Sequence, residues 1–396
     1  MLAVLVVFGV SRSAFPAGAG GKGSGPSKNV DANTIGCILP LTGRDAAAGN
    51  RVLEAIILAS GLFDPIVKTP IRLVIEDSQG QPEAAAAAVT KLAREAGVIC
   101  IIGPLGVDES LVAAREAQRL KVPIMTLTAD QEELTKIGNY VFRFSMTSRF
   151  EVASLVNYAT QELGVKRFAV LYPNDNYGNE MERLFREEVL RRKGHIARAT
   201  PYDTEETDFA DEIKSISNVM QPPTPVMESE GHGESEKLST GVDALFIPDI
   251  PARLKMIIPQ LAFHNVKDVR LLGTNSWNNP DVLKVGSEFL EGAIFVDAFS
   301  ANSFYPEVND FTDVYYANYS REPGTLEALA YDASAMIVKI IREDGSIKTR
   351  DKMRESIGNV RDYRGVTGKT SFLEGRDAQK EVFFLTVKNG QIVQLR

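Results

Sequence analysis

The side chains that could do covalent or metal chemistry are few and poorly spaced for it. His195, His232 and His264 are the three histidines, and none stands at a metal-ligand spacing from another ligating residue. Gly368-Lys369-Thr370 ends like a phosphate-binding loop. The glycine that such a loop needs five residues before its lysine-side glycine is replaced by Tyr363, and "SFLEG" follows where a helix should begin. No serine-nucleophile elbow and no zinc-protease motif occurs. Asp203, Glu205 and Glu206 form a solvated acidic face rather than a paired acid and base. These residues imply no catalytic centre, no metal site and no cofactor.

Two further patterns are decoys. "LPLTG" at 39–43 has the form of a cell-wall sorting signal, but it lies near the N-terminus at the end of an apolar run, with no apolar tail and basic cluster behind it. There, Pro40 ends a strand and Thr42-Gly43 turn the chain toward a helix. "IGC" at Cys37 follows a polar segment, with Thr34 where a lipidation signal needs an aliphatic residue. Cys37 and Cys100 are the only cysteines, each near the end of an apolar strand, and are expected as free buried thiols.

The elements that position the remaining candidates emerge from the hydrophobic pattern. The 396 residues suffice for about two domains, and a net charge of −8 without a basic tract argues against nucleic acid as the main partner. The opening "MLAVLVVFG" is too short to span a bilayer and fits the apolar part of a secretory signal, with Ala17-Gly18-Ala19 as a cleavage site. Residues 1–32 are therefore expected to be a signal peptide and linker, and the chain to be secreted to the periplasm.

From residue 33 onward, short apolar runs alternate with amphipathic segments. Strands are predicted at 34–41, 71–77, 98–103 and 122–129, with helices at 46–62, 83–96 and 109–120 between them. A second series has helices at 150–163, 179–193 and 252–264, and strands at 167–173, 243–249, 269–274 and 292–299. Helices at 309–319 and 325–341 follow, and "EVFFLTVKNGQIVQLR" reads as a hairpin turning on Asn389-Gly390. The pattern predicts an α/β protein of two doubly wound lobes with parallel sheets. Residues 218–240, rich in Pro, Gly, Ser and Glu, carry no periodicity and are predicted to be a disordered insertion.

Doubly wound sheets bind ligands outside the carboxyl ends of their strands. In the first series those loops carry Thr42 and Arg44, then Gly106 and Asp108, then Thr126, Thr128, Ala129 and Asp130. In the second they carry Tyr177, Asp249, Asn275 and Trp277, the single tryptophan. Trp277 offers a stacking face and an N–H donor.

Eight stretches in order, "IGCILPLTGRDAAAGN", "CIIGPLGVDES", "VPIMTLTADQEELT", "VLYPNDNYGNE", "LLGTNSWNNP", "EGAIFV", "LAYDA" and "GVTGKTSF", resemble the type I periplasmic binding proteins, specifically the leucine/isoleucine/valine-binding receptors of ABC transporters. The resemblance covers about residues 33–396. It implies two lobes joined by three crossovers: 33–146 with about 297–372, and 147–296 with about 373–396. It further implies a small-molecule ligand, an amino acid or a related polar solute, held in the interlobe cleft by lobe closure and passed to an inner-membrane ABC permease.

The family's ligand contacts match at Thr126, Thr128, the Ala129 backbone and Tyr177. They depart at Ala48, where an aromatic is usual, at Gly106-Val107-Asp108-Glu109, where serines bind a carboxylate, and at Asn275, where an acid pairs with an ammonium. Asp108 and Glu109 would compete with an anion for the helix N–H groups. These departures argue against an unmodified branched-chain amino acid, leaving Asp249, Asp130 or Asp175 to meet an ammonium. The chain also resembles the penicillin-binding-protein activators, which implies an alternative: regulation of cell-wall synthesis through contact with a penicillin-binding protein.

Overall fold

A computed structural model describes residues 29–61, 70–127, 133–220, 241–266, 269–284, 286–373 and 375–395. In chain order the elements are β1 Asp31–Leu39, α1 Ala46–Ser60, β2 Arg72–Asp77, α2 Pro82–Lys91, β3 Val98–Ile102, α3 Val107–Leu120, β4 Ile124–Thr126 and β5 Val141–Arg143. Next come α4 Ser148–Gln161, β6 Arg167–Pro173, α5 Asn176–Arg191, β7 His195–Tyr202, α6 Ala210–Met220, β8 Ala244–Phe246, α7 Pro251–Phe263, β9 Arg270–Leu272, α8 Pro280–Leu283 and β10 Ile294–Asp297. The chain ends with α9 Pro306–Tyr319, α10 Thr325–Glu343, α11 Arg350–Gly358, β11 Tyr363–Gly365, β12 Gly368–Ser371, β13 Gln379–Lys380, β14 Phe383–Lys388 and β15 Gln391–Gln394.

The chain divides into two units, one of residues up to Thr147 with Tyr305–Glu381, the other of Ser148–Phe304 with Val382–Arg396. Both returns fall later than the sequence suggests. Asn278 donates to the Asp297 carboxylate at 2.8 Å and to the Phe299 carbonyl at 2.9 Å, which keeps the segment after β10 with its own sheet. At the other return, β13 pairs antiparallel with β12 through Thr370 and Lys380, so 379–380 stay in the first unit.

The first unit has a five-stranded sheet in the order β2-β1-β3-β4-β5, every pairing parallel. β3 is buried at every residue, as a central parallel strand covered on both faces must be. The apolar stripes of α2 and α3, including Ala85, Val89, Ala113 and Ala117, pack on it with Ile38 and Ile101. Small alanines let these two helices lie close to the sheet.

The second unit has a seven-stranded sheet in the order β15-β14-β10-β9-β8-β6-β7. β10, β9, β8, β6 and β7 run parallel, while β14 and β15 are antiparallel additions at one edge. The hairpin turn is at Asn389 and Gly390, with φ of 52° and 71°, the pair of left-handed residues that a two-residue turn requires. Its core joins Phe168, Phe185 and Phe246 to Val152 and Leu155, with Phe185 and Phe246 stacked at 4.2 Å.

The strand His195–Tyr202 is absent from the sequence-based assignment. It is the edge strand beside β6, and its mixed polar pattern (HIARATPY) reflects that half-solvated position. Of the expected strand 122–129, Ile124–Thr126 is strand among the described residues, and 128–129 lie outside them. The signal peptide and the insertion expected at 218–240 lie largely outside the described residues. Both cysteines are free and buried.

Candidate functional site at the strand ends

In the first unit the loop after β1 is held by Asp77 at the end of β2. Its carboxylate accepts from Leu41 N at 2.8 Å, Thr42 N at 3.3 Å, Gln79 N at 2.9 Å and the Thr42 hydroxyl at 2.6 Å. Burial alone would raise the Asp77 pKa, but these hydrogen bonds to the charged form hold it below the usual carboxylate value. Thr42 is therefore a loop-building residue whose hydroxyl is engaged. Arg44, two residues on, is exposed and makes no ion pair among the described residues.

At the start of α3, Glu109 reaches back to accept from Gly106 N at 3.3 Å, half of a capping box. The competition expected of Glu109 is thus realised, whereas Asp108 is exposed. Glu109 Oε1, Ser110 Oγ and, at the end of β2, Ser78 Oγ are buried without hydrogen-bond partners. Buried polar atoms nearly always have a partner, which makes these strand-end and helix-start atoms candidates for further hydrogen bonding.

Thr126 is fully buried, and its hydroxyl donates to the Phe142 carbonyl at 3.3 Å, within the β4–β5 pairing. Thr128, Ala129 and Asp130 lie outside the described residues.

In the second unit, Asp175 caps α5 by accepting from Gly178 N at 2.8 Å, and Tyr177 is half-buried against the core of β6 and α5. The densest polar cluster surrounds Asp249, after β8. Asp249 is buried, and its carboxylate accepts from the Tyr202 hydroxyl, from Ile250 N at 2.7 Å and from Arg253 Nη1 at 3.5 Å. Ser276 Oγ donates to the Asp249 carbonyl at 2.6 Å, which ties the loop after β9 to the loop after β8.

Burial raises the Asp249 pKa despite Tyr202, Ile250 and Arg253, and burial with the neighbouring carboxylate raises that of Tyr202. Asp249 is one of the three acids, with Asp130 and Asp175, that the sequence offers to a ligand ammonium; its oxygens also serve three protein donors, with Tyr202 and Arg253 at its edge.

Asn275 has an exposed side chain, and its backbone N–H donates to Glu151 Oε1 at 2.6 Å. Glu151, in the first turn of α4, is buried. The position where the sequence shows an amide in place of an acid therefore has a carboxylate beside it, supplied by a different element. Trp277, two residues on, is fully buried. Its ring lies against Gly273, where an added Cβ would come within 2.2 Å of the indole, and 6.2 Å from the Phe295 ring. The Trp277 ring packs inside the second unit, and its Nε1 is buried without a hydrogen-bond partner, as are the Ser78, Glu109 and Ser110 atoms.

Ser276 stands in the sequence beside Asn275 and Trp277 as a strand-end candidate, whereas Tyr202, Arg253 and Glu151 were missed from the sequence. Arg253 alone left a trace, standing four residues after Asp249 across a helix start, a spacing that brings charged side chains together. The others meet only when separate strands are paired.

The arrangement holds and orients polar groups without a nucleophile activated by a base, and no group of metal-ligating residues occurs among the described residues. It is suited to binding. The family model described as periplasmic binding protein matches residues 33–391. The Leu/Ile/Val-binding protein BraC3 of Rhizobium johnstonii is 23% identical over 363 residues, covering 89% of this chain and 90% of its own. A leucine-binding protein LivK from Thermotoga maritima superposes with a TM-score of 0.67 at 26% identity, over 92% of this chain and 97% of its own. A solute-binding protein of an ABC transporter from Rhodopseudomonas palustris, solved with 3,4-dihydroxybenzoic acid, gives a TM-score of 0.69 at 19% identity, over 91% and 96%. With residues 33–391 matched, and with polar side chains gathered at the carboxyl ends of both sheets, this protein belongs to the periplasmic binding protein family, whose members bind solutes and are not enzymes.

Proposed function

We propose that the chain is the solute-binding receptor of an ABC transporter, acting in the periplasm and delivering its ligand to an inner-membrane permease. The observation that carries this reading is the pair of polar loop clusters at the carboxyl ends of the two sheets. These are the Asp77–Thr42 loop with the unpartnered Ser78, Glu109 and Ser110 atoms, and the Tyr202–Asp249–Arg253–Ser276 cluster with Glu151. The proposed ligand is an amino acid or a related small polar solute engaged by both clusters as the two units close on it, closure being the signal read by the permease. Glu151 and Asp249 supply negative charge for an ammonium, while Arg44 and Arg253 supply positive charge for a carboxylate.

A thermal-shift screen of the purified chain tests this, using amino acids and, because of the Rhodopseudomonas relative, hydroxybenzoates. The expected result is stabilisation by one class of solute that Asp249→Asn weakens by about 1–3 kcal/mol. Absence of stabilisation by every solute, confirmed by calorimetry, would overturn the receptor reading. The Glu109 carboxylate sitting on the Gly106 N–H favours the alternative, a regulator that works through contact with a penicillin-binding protein. That alternative requires capture of the synthase by a chain whose solute screen is silent.

A further inference from the structure

Away from the strand ends, the first unit holds a cavity of about 440 Å³ between α9, α10 and β11. α9 turns one stripe toward it: Glu307, Asp310, Phe311 and Val314, at the i, i+3, i+4 and i+7 positions that share a helix face. α10 contributes Tyr331 and Ala335, one turn apart, and β11 contributes Tyr363. The rings of Phe311 and Tyr331 lie 4.6 Å apart at 40°, forming an aromatic wall.

Glu307 and Asp310 are exposed and have no ion-pair partner among the described residues. Like charges one turn apart repel, and a cation between them would relieve this. Arg364 is also on the rim, but strand alternation separates it from its neighbours. Gly365 sits on Asp332 so closely that an added Cβ would come within 2.3 Å of the carboxylate, so Gly365 and Tyr363 share the face toward α10 and Arg364 takes the other. The buried Asp332 beneath the cavity is already served by Val366 N, Thr367 and the Lys380 charge, and adds no free anion.

We propose that this cavity is a second ligand site, separate from the strand-end clusters, for a small organic cation with an apolar body, such as an alkyl- or arylalkylammonium ion. The volume is that of a small-molecule site. Aromatic faces attract an ammonium that they partly desolvate, and the two carboxylates set the sign of the charge. The apolar body would lie along Leu58, Val314 and Ala335.

The test is isothermal titration of the full chain with 2-phenylethylammonium and with neutral 2-phenylethanol. Saturable binding of the cation is expected, with the alcohol weaker by about tenfold or more. In Glu307→Gln/Asp310→Asn, cation affinity should fall by about tenfold or more. Loss of the like-charge repulsion stabilises α9 while loss of Glu307 from its first turn destabilises it, so the melting temperature of that variant should change little. Ala335→Phe, which fills the cavity, should abolish binding. Equal affinity for the alcohol, or cation binding unchanged in the double variant, overturns the assignment. Retention of cation binding in Ala335→Phe, checked for native melting, overturns it as well.

Discussion

Replacing Asp332 by Asn should weaken the first unit sharply and in a pH-dependent way. Asp332 is fully buried and accepts from Val366 N at 2.9 Å, Thr367 N at 2.7 Å and the Thr367 hydroxyl. Lys380 is buried with it. Its ammonium donates to Thr367 Oγ1 and Thr370 Oγ1, both at 2.8 Å, and lies 3.8 Å from the centre of the Phe144 ring. An amide places an NH₂ group against one of the two backbone donors and removes the carboxylate charge facing the ammonium. Breaking one side of a buried charge pair typically costs about 3–5 kcal/mol, which is about 10²–10³ in a local opening equilibrium.

The pH dependence follows from Lys380. Burial lowers the Lys380 pKa from 10.5 to about 7, with the Asp332 carboxylate opposing the fall; without that carboxylate it should fall further. The variant then holds fewer protons than the wild type below about pH 7, so its stability rises with pH where that of the wild type does not. The deficit of Asp332→Asn should therefore be largest near pH ~5 and narrow toward neutrality. Urea unfolding, together with hydrogen exchange of peptides spanning 363–380, measures both the size and the trend. A deficit below about 1 kcal/mol, or one that widens as pH rises, would refute the reasoning. Adding Lys380→Met to the variant should recover part of the loss at acid pH, because no uncompensated ammonium remains.

Three further outcomes follow from the geometry. Trp277→Ala should cost about 3–5 kcal/mol, the range for deleting a large buried aromatic, and native Trp277 emission should resist acrylamide quenching. Asp77→Ala should loosen the β1 loop by about 1–3 kcal/mol at neutral pH. Because hydrogen bonds hold the Asp77 pKa below its ordinary value, that contribution is present above the unfolded-state pKa and vanishes as pH falls through the folded one, so urea midpoints of variant and wild type should converge in acid. Burial pushes the Cys37 thiol up to about 12, so it should not react with a water-soluble disulfide reagent at pH ~8 until urea unfolds the first unit.

The alternation of short apolar runs with amphipathic segments was enough to specify an α/β fold, its main parallel strands and long helices in order, and the loops at those strands' carboxyl ends, but not β5, β7, α6 or α11. Each of those signals is local. A buried parallel strand such as VICII must be apolar throughout, and the helices around it must carry a stripe. The tail hairpin was legible for the same reason, since Asn389-Gly390 carries its turn chemistry within two residues. His195–Tyr202 was not, because an edge strand has no need of a continuous apolar run.

What the candidate loops do with their side chains was decided by tertiary structure. Trp277 looked available because polar residues surround it in the chain, but Gly273 and Phe295 bury its ring once β9 and β10 pair. Thr126 spends its hydroxyl on Phe142, sixteen residues on, and Asp249 meets Tyr202 across forty-seven. Glu151 lies 124 positions from the Asn275 N–H it accepts from. A strand-end position is dictated by local pattern, whereas the direction and partner of a polar side chain depend on which strands lie side by side. Only the folded sheet brings those distant residues within hydrogen-bonding distance.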